Sequence, residues 1–291
     1  MSKPFGLSVA LTTPFKADGA LDLALLADHA AACLKRGADG VTLFGTTGEG
    51  ASIGAAERAA ALDALIGAGV AAGSIVAGVL VNAVDDAIAQ ARDALRRGAK
   101  AILLAPPSYF KGVSDDGVHA WFAAVIDGLG EDARDILLYN IPSVTAVKVS
   151  LDVIGRLHGA FPKAISGVKD SGGNWDYTEA LTRRYADKLA VLVGDERHLA
   201  AAARIGAQGA ISGIGNVLPD AVHGLIQGRD NAQLLALVET VLRYPVTPAV
   251  KALVAIASGD DRWLTVRPPL VSLAFEARDD LALALRPLLP S

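Results

Sequence analysis

Eight short runs rich in β-branched and aliphatic residues recur along the chain, each followed by a longer stretch with helical spacing. They are expected to form strands at about 6–12, 40–45, 74–80, 101–105, 135–140, 164–169, 190–194 and 209–213. Amphipathic segments such as LDLALLADHAAACLKRG, AAERAAALDALIGAG and DDAIAQARDALRRG occupy the intervals. No two runs lie close enough for a hairpin, so the strands must pair in parallel through crossover helices. RGADGV at 36–41, RGAKAI at 97–102 and IGAQGAI at 205–211 repeat one arrangement, in which a glycine ends a helix and a short loop enters a strand. The intervals from Gly37 to Gly98 and from Gly98 to Gly206, 61 and 108 residues, fit about two and four β/α modules of roughly 30 residues. Eight modules without a GxGxxG fingerprint favour closure into a (β/α)8 TIM barrel over an open doubly wound sheet. The barrel is expected over residues 1–229. Residues 230–291, with QLLALVETVLRY and PAVKALVAIASG, read as additional C-terminal helices of the same domain, since no Ser/Gly linker intervenes.

Composition narrows the function. Of 291 residues, 52% are hydrophobic and 20% charged, enough for a large core and too apolar for disorder. The net charge of −4 is spread along the chain without a basic stripe, so no nucleic-acid partner is expected. Cys33, the single cysteine, excludes a disulfide framework within one chain and sits mid-helix, a poor place for a nucleophile. The histidines, His29, His119, His158, His198 and His223, show neither HxH nor HExxH spacing. Neither a GxSxG elbow nor a GxxxxGKS loop occurs, so no metal or organic cofactor is expected and serine hydrolysis is disfavoured. No apolar run reaches the roughly 18–20 residues of a membrane span, and the first residues lack a signal-peptide core; a cytoplasmic location is expected.

In such a barrel the chemistry lies at the C-terminal ends of the strands. That directs attention to GTTGEG, PPSYF, YNIPS, GVKDSGG, GDERH and SGIGN. Lys169 follows the apolar run AISGV at the mouth end of the sixth strand. A lysine dried by barrel walls holds its proton less tightly, and free amine is what imine formation with a ketone needs. The competing reading is a lysine paired with Asp170 or another rim carboxylate. Lys148 is a weaker candidate, because it follows a proline-containing loop. Tyr139 ends DILLYN at the depth where it meets Lys169 on the adjacent strand and can relay protons; an ordinary strand tyrosine is the alternative. GTTGEG offers two hydroxyls and loop N–H groups leading to a helix, a cradle for a carboxylate or simply an N-cap at Thr47 or Ser52.

GTTGEG at 45–50, YNIP at 139–142, GVKDSGG at 167–173, GDE at 194–196 and AISG at 210–213 together resemble the dihydrodipicolinate synthase / N-acetylneuraminate lyase family of class I aldolases. The motifs occur in the family's order over roughly the whole barrel. The resemblance implies that Lys169 forms the imine, Tyr139 relays protons, and Thr46 and Thr47 bind the pyruvate carboxylate, with Thr46 hydrogen-bonded to Tyr139. It implies that backbone at Gly194 and Ile211 lines the imine pocket. It also implies a homotetramer, a dimer of dimers, in which an aromatic hydroxyl from the loop after the fourth strand serves a neighbouring subunit. Here that loop reads PPSYFKG, with Phe110 at the matching position and Tyr109 beside it as the available hydroxyl.

Val144 departs from the pattern. The family's synthases carry arginine there for the second substrate's distal carboxylate, and valine makes no such contact. Ala55 and Arg58 stand where the lysine-inhibited synthases often have histidine. The polar set Ser143, Glu196, Arg197 and Ser212 is expected to meet hydroxyls of a sugar-acid aldehyde, with a rim salt bridge as the other reading of Arg197. The leading expectation is a lyase that joins or separates pyruvate and an aldehyde, its small-molecule partners. The product or substrate would be a 2-oxo-3-deoxy sugar acid or a related 4-hydroxy-2-oxo acid. The alternatives are 4-hydroxy-tetrahydrodipicolinate synthase, a sugar-acid dehydratase and, from another class, a non-catalytic 2-oxo acid sensor.

Overall fold

In the computed structural model, which describes residues 5–289, eight parallel strands close on themselves in sequence order. They are β1 (Gly6–Ala10), β2 (Gly40–Leu43), β3 (Ile75–Val79), β4 (Ala101–Leu104), β5 (Ile136–Asn140), β6 (Ile165–Asp170), β7 (Ala190–Val193) and β8 (Gly209–Ser212). All eight lie where the apolar runs place them, and β8 pairs back onto β1, so no edge is left open. Both faces of each strand are covered, which is why these runs are continuously apolar instead of alternating. One layer of side chains fills the barrel interior, including Val76, Leu103, Leu137, Leu192 and Ile211. A larger layer packs between the strands and the helical ring.

One irregularity sets the site. Along the β5–β6 pair the register runs Ile136↔Ile165 and then Leu137↔Gly167, so Ser166 is an extra residue on β6. A one-residue slip exchanges the faces of every residue beyond it. With the bulge in place, Tyr139 stands opposite Lys169. The next residue, Asp170, faces the other way and accepts bonds from Thr178 Oγ1 on the surrounding helix at 2.6 Å and from Asn140 Nδ2 at 2.8 Å.

After the eighth crossover helix, Pro219–Ile226, come the helices Ala232–Val241, Val246–Ser258 and Phe275–Leu285. They do not sit apart from the barrel. Thr247 Oγ1 donates to Thr46 O at 3.1 Å, and the fully buried Lys251 donates to Glu49 and to Thr265 O. The strand-mouth loop is therefore clamped from the C-terminal side. Among the described residues no helix is long and apolar enough to cross a membrane.

Candidate active site

The loop after β2 is built by close backbone approach. A Cβ at Gly50 would lie 1.8 Å from Phe44 O, so only glycine fits there. Phe44 and Glu49 both adopt positive φ, 59° and 54°, a conformation that side chains rarely take without support from their surroundings. That support is visible. Gly48 N and Gly50 N donate to Gly45 O at 3.1 and 3.0 Å, and Thr13 Oγ1 donates to Gly48 O at 2.7 Å. The Glu49 carboxylate accepts from Lys251 and, at 2.9 Å, from Arg267 N. No backbone bond within the loop uses the N–H groups of Thr46 and Thr47, which stand ready for an anion.

Lys169 is 5% exposed, and its Nζ donates to the Tyr139 hydroxyl at 3.2 Å. Tyr139 Oη lies 3.4 Å from Thr46 Oγ1, so amine, phenol and hydroxyl form one chain. The Lys169 nitrogen also sits 4.4 Å from the Tyr139 ring centre. Asp170 is not its partner: that carboxylate is turned outward and satisfied by Asn140, Gly172 and Thr178. The competing salt-bridge reading of Lys169 is thereby removed. Lys148 lies outside this cavity, on the surface over the Tyr177 ring. Gly194 leaves room for the amine's stem, since a Cβ there would lie 2.8 Å from Lys169 Cε and 2.1 Å from Ser171 Oγ.

One cavity gathers Thr46, Thr47, Tyr139, Ser143, Lys169, Gly194, Glu196 and Ile211, all singled out from the sequence. Ser212 stands behind its wall. It is buried, donates to Glu196 Oε1 at 2.5 Å and accepts from Gly215 N at 3.0 Å. Its expected contact with substrate is corrected to support of Glu196, because both sides of its hydroxyl are already occupied. Arg197 takes the salt-bridge reading, pairing with Asp195 at 2.8 Å and Glu239 at 3.3 Å. Tyr109 and Phe110 are 76% and 69% exposed, packed edge to face 5.4 Å apart, and belong to no wall of this chain's own cavity. Sequence reasoning missed Val238, Val241, Leu242, Val246 and Val250, which close the cavity from the C-terminal helices. The only signal was the apolar periodicity of those segments, which does not say what they cover.

The two acidic side chains of the cavity differ. Burial opposes the charge on Asp195, but its bonds with the Arg197 guanidinium prevail and hold its carboxyl below the ordinary carboxylate range. Glu196 heads the helix Glu196–Arg204, which Asp195 caps. Burial pushes its carboxyl up, only partly offset by the Ser212 hydroxyl. A group whose folded pKa is raised adds stability below its ordinary value of 4.5, and that contribution is lost as pH climbs through the folded value. Thermal melts in buffers of rising pH from about 4.5 upward are therefore expected to show wild type losing stability relative to Glu196→Gln, which cannot ionise. Parallel curves would show that Glu196 ionises without cost.

Among the described residues no group of three or more His, Cys, Asp or Glu side chains is placed to hold a metal ion. The arrangement offers a buried primary amine, a phenol in contact with it and an anion cradle one step away. These are the elements needed to condense an amine with a carboxylate-bearing ketone.

Comparison with known proteins agrees with the geometry. The chain is 35% identical over 288 residues to an uncharacterized DapA-like lyase of Chloroflexus aurantiacus, covering 95% of this chain and 94% of that protein. It is 32% identical over 290 residues to the 4-hydroxy-tetrahydrodipicolinate synthase of Sorangium cellulosum, covering 97% and 95%. The crystal structure of dihydrodipicolinate synthase from Agrobacterium tumefaciens superposes with a TM-score of 0.96 at 53% identity, over 98% of this chain and all of that one. Residues 3–287 match the dihydrodipicolinate synthetase family, and the chain is accordingly a member of that family of carbon–carbon lyases and synthases.

Proposed function

We propose that this protein is a class I, lysine Schiff-base lyase that joins or separates pyruvate and an aldehyde through a 4-hydroxy-2-oxo acid. The observation that carries the reading is the buried Lys169 amine, 3.2 Å from the Tyr139 hydroxyl, with the adjoining Asp170 carboxylate bonded elsewhere. Lys169 Nζ adds to C2 of pyruvate, and loss of water from the carbinolamine leaves an imine bonded to the lysine. Removal of a C3 proton, with the imine nitrogen as electron sink, gives the enamine. C3 then attacks the aldehyde carbon, the carbonyl oxygen takes up a proton, and water hydrolyses the imine to regenerate the amine. Cleavage is the reverse. Tyr139 holds and returns the protons, with Thr46 ordering its hydroxyl. The loop N–H groups of Thr46 and Thr47 receive the carboxylate.

The relatives' names favour a second reading, 4-hydroxy-tetrahydrodipicolinate synthase. Against it, the cavity presents Val144 where a distal carboxylate would need a cation, and Arg197 is committed to Asp195 and Glu239. Condensation of pyruvate with aspartate semialdehyde, if efficient, would restore the synthase reading. The exposed pair Tyr109 and Phe110 is proposed to serve the site of a neighbouring copy in a homotetramer. Incubation with pyruvate and borohydride is expected to inactivate the protein and fix the reduced pyruvate adduct on Lys169, read by peptide mass. An unmodified lysine would end the proposal.

A further inference from the structure

Beyond the reacting centre, the cavity changes character. Val144 arrives on the turn after β5, Val238, Val241 and Leu242 at the end of the helix Ala232–Val241, and Val246 and Val250 on the next helix. Val144, Leu242 and Val246 are 58%, 43% and 42% exposed, unusual values for aliphatic side chains gathered on one rim. An exposed apolar cluster at the mouth of a cavity marks surface waiting for an apolar ligand group. Charge points the same way. Among the described residues Lys169 is the only cationic side chain on the cavity wall, and once bonded to pyruvate its nitrogen is committed to that substrate. Asp195 is also on the wall, and the guanidinium beside it is already paired with that carboxylate and with Glu239, which leaves no free cation there for a second anion. Beyond the Thr46–Thr47 loop and the paired Asp195, the polar side chains that can meet a newly formed hydroxyl are Ser143, Ser171 and Glu196, few beside this aliphatic surface.

We propose that the acceptor subsite takes an aldehyde with an uncharged, apolar tail, a short branched aliphatic chain, in preference to a carboxylate-bearing or polyhydroxylated one. The proposal rests on the pyruvate-lyase reading above and narrows its second substrate. An apolar tail would cover Val144, Leu242 and Val246, removing their aliphatic surface from water. A carboxylate there would lose hydration without gaining a cation, and each unmatched hydroxyl would lose a water partner.

The test is pyruvate release from three synthetic aldols of pyruvate, those with isovaleraldehyde, malonate semialdehyde and glyceraldehyde. The first two are near-isosteres, an isopropyl group replacing a carboxylate, so shape is held while charge changes. Expected is a kcat/KM for the isovaleraldehyde aldol at least about tenfold above either other, the scale of burying one or two methyl groups against leaving a charge unpaired. Val144→Arg, at an exposed position, is expected to lower that preference over the malonate semialdehyde aldol by roughly tenfold by supplying the missing cation. Preference for the carboxylate or hydroxylated aldol in wild type overturns the inference. Borohydride trapping with pyruvate alone, run in parallel, separates the two levels. If Lys169 is trapped but the preference is absent, only the acceptor assignment fails; if Lys169 is not trapped, the reading beneath it fails as well.

Discussion

Lys169→Ala is expected to abolish pyruvate exchange and aldol cleavage, with turnover down by about 10⁴-fold or more, because among the described residues no other amine lines the cavity to form the imine. Truncating a buried lysine whose partner is a neutral phenol strands no opposite charge. The barrel should therefore keep its melting profile, and the borohydride adduct should vanish with the activity. Tyr139→Phe provides the contrast. It leaves the nucleophile in place and removes only the proton relay, so roughly a hundredfold loss in kcat is expected while slow trapping on Lys169 persists. Stopped-flow or coupled assays of pyruvate release read both variants. Full activity in Lys169→Ala would refute imine catalysis, and equal losses of trapping in both variants would show that Tyr139 is needed to form the imine and not merely to move protons afterwards.

The second large effect concerns a residue that never touches substrate. Lys251 and Glu49 form an ion pair with both side chains fully buried. Burial lowers the pKa of Lys251, against the pull of Glu49. Removing one partner of such a pair leaves the other charged and dry, which typically costs about 3–5 kcal/mol. Lys251→Met should therefore lower the free energy of denaturant unfolding by that amount. Lys251→Met combined with Glu49→Gln should recover a substantial part, because neither charge then remains buried. Because Glu49 belongs to the loop of Thr46 and Thr47, the single variant should also raise KM for pyruvate more than it changes kcat per bound substrate. A Lys251→Met protein within about 1 kcal/mol of wild type would show that Glu49 is satisfied by Arg267 N alone.

Much of this protein was readable in advance because the determining patterns are local. The alternation of apolar runs and amphipathic stretches, and the glycine at the end of each repeated helix, specify β/α modules one at a time. Eight such modules without hairpins leave little choice but a closed parallel barrel. Once the barrel is assumed, its chemistry is confined to strand ends, so Lys169, Tyr139 and the Thr46–Thr47 loop stand out by position. What local pattern left open was which partner each side chain meets. Asp170 follows Lys169 in sequence, yet the pleat turns it to the opposite face, and Tyr139, thirty residues earlier, becomes the amine's neighbour through the bulge at Ser166. Ser212 and Glu196 both looked like substrate contacts, and packing put one behind the other.

By itself, then, the sequence determined the modules, their closure and which lysine stands at a strand mouth, because strand and helix periodicity and the barrel's polarity are properties of neighbouring residues. Only the tertiary structure decided that the C-terminal helices form the far wall of the cavity and clamp the Thr46–Thr47 loop. Glu49 and Lys251 are 202 residues apart, and Val144 and Val246 come to line one cavity only across a folded barrel mouth. Contacts at such separation depend on how whole elements pack, and hydrophobic burial, being non-directional, writes no partner into either segment.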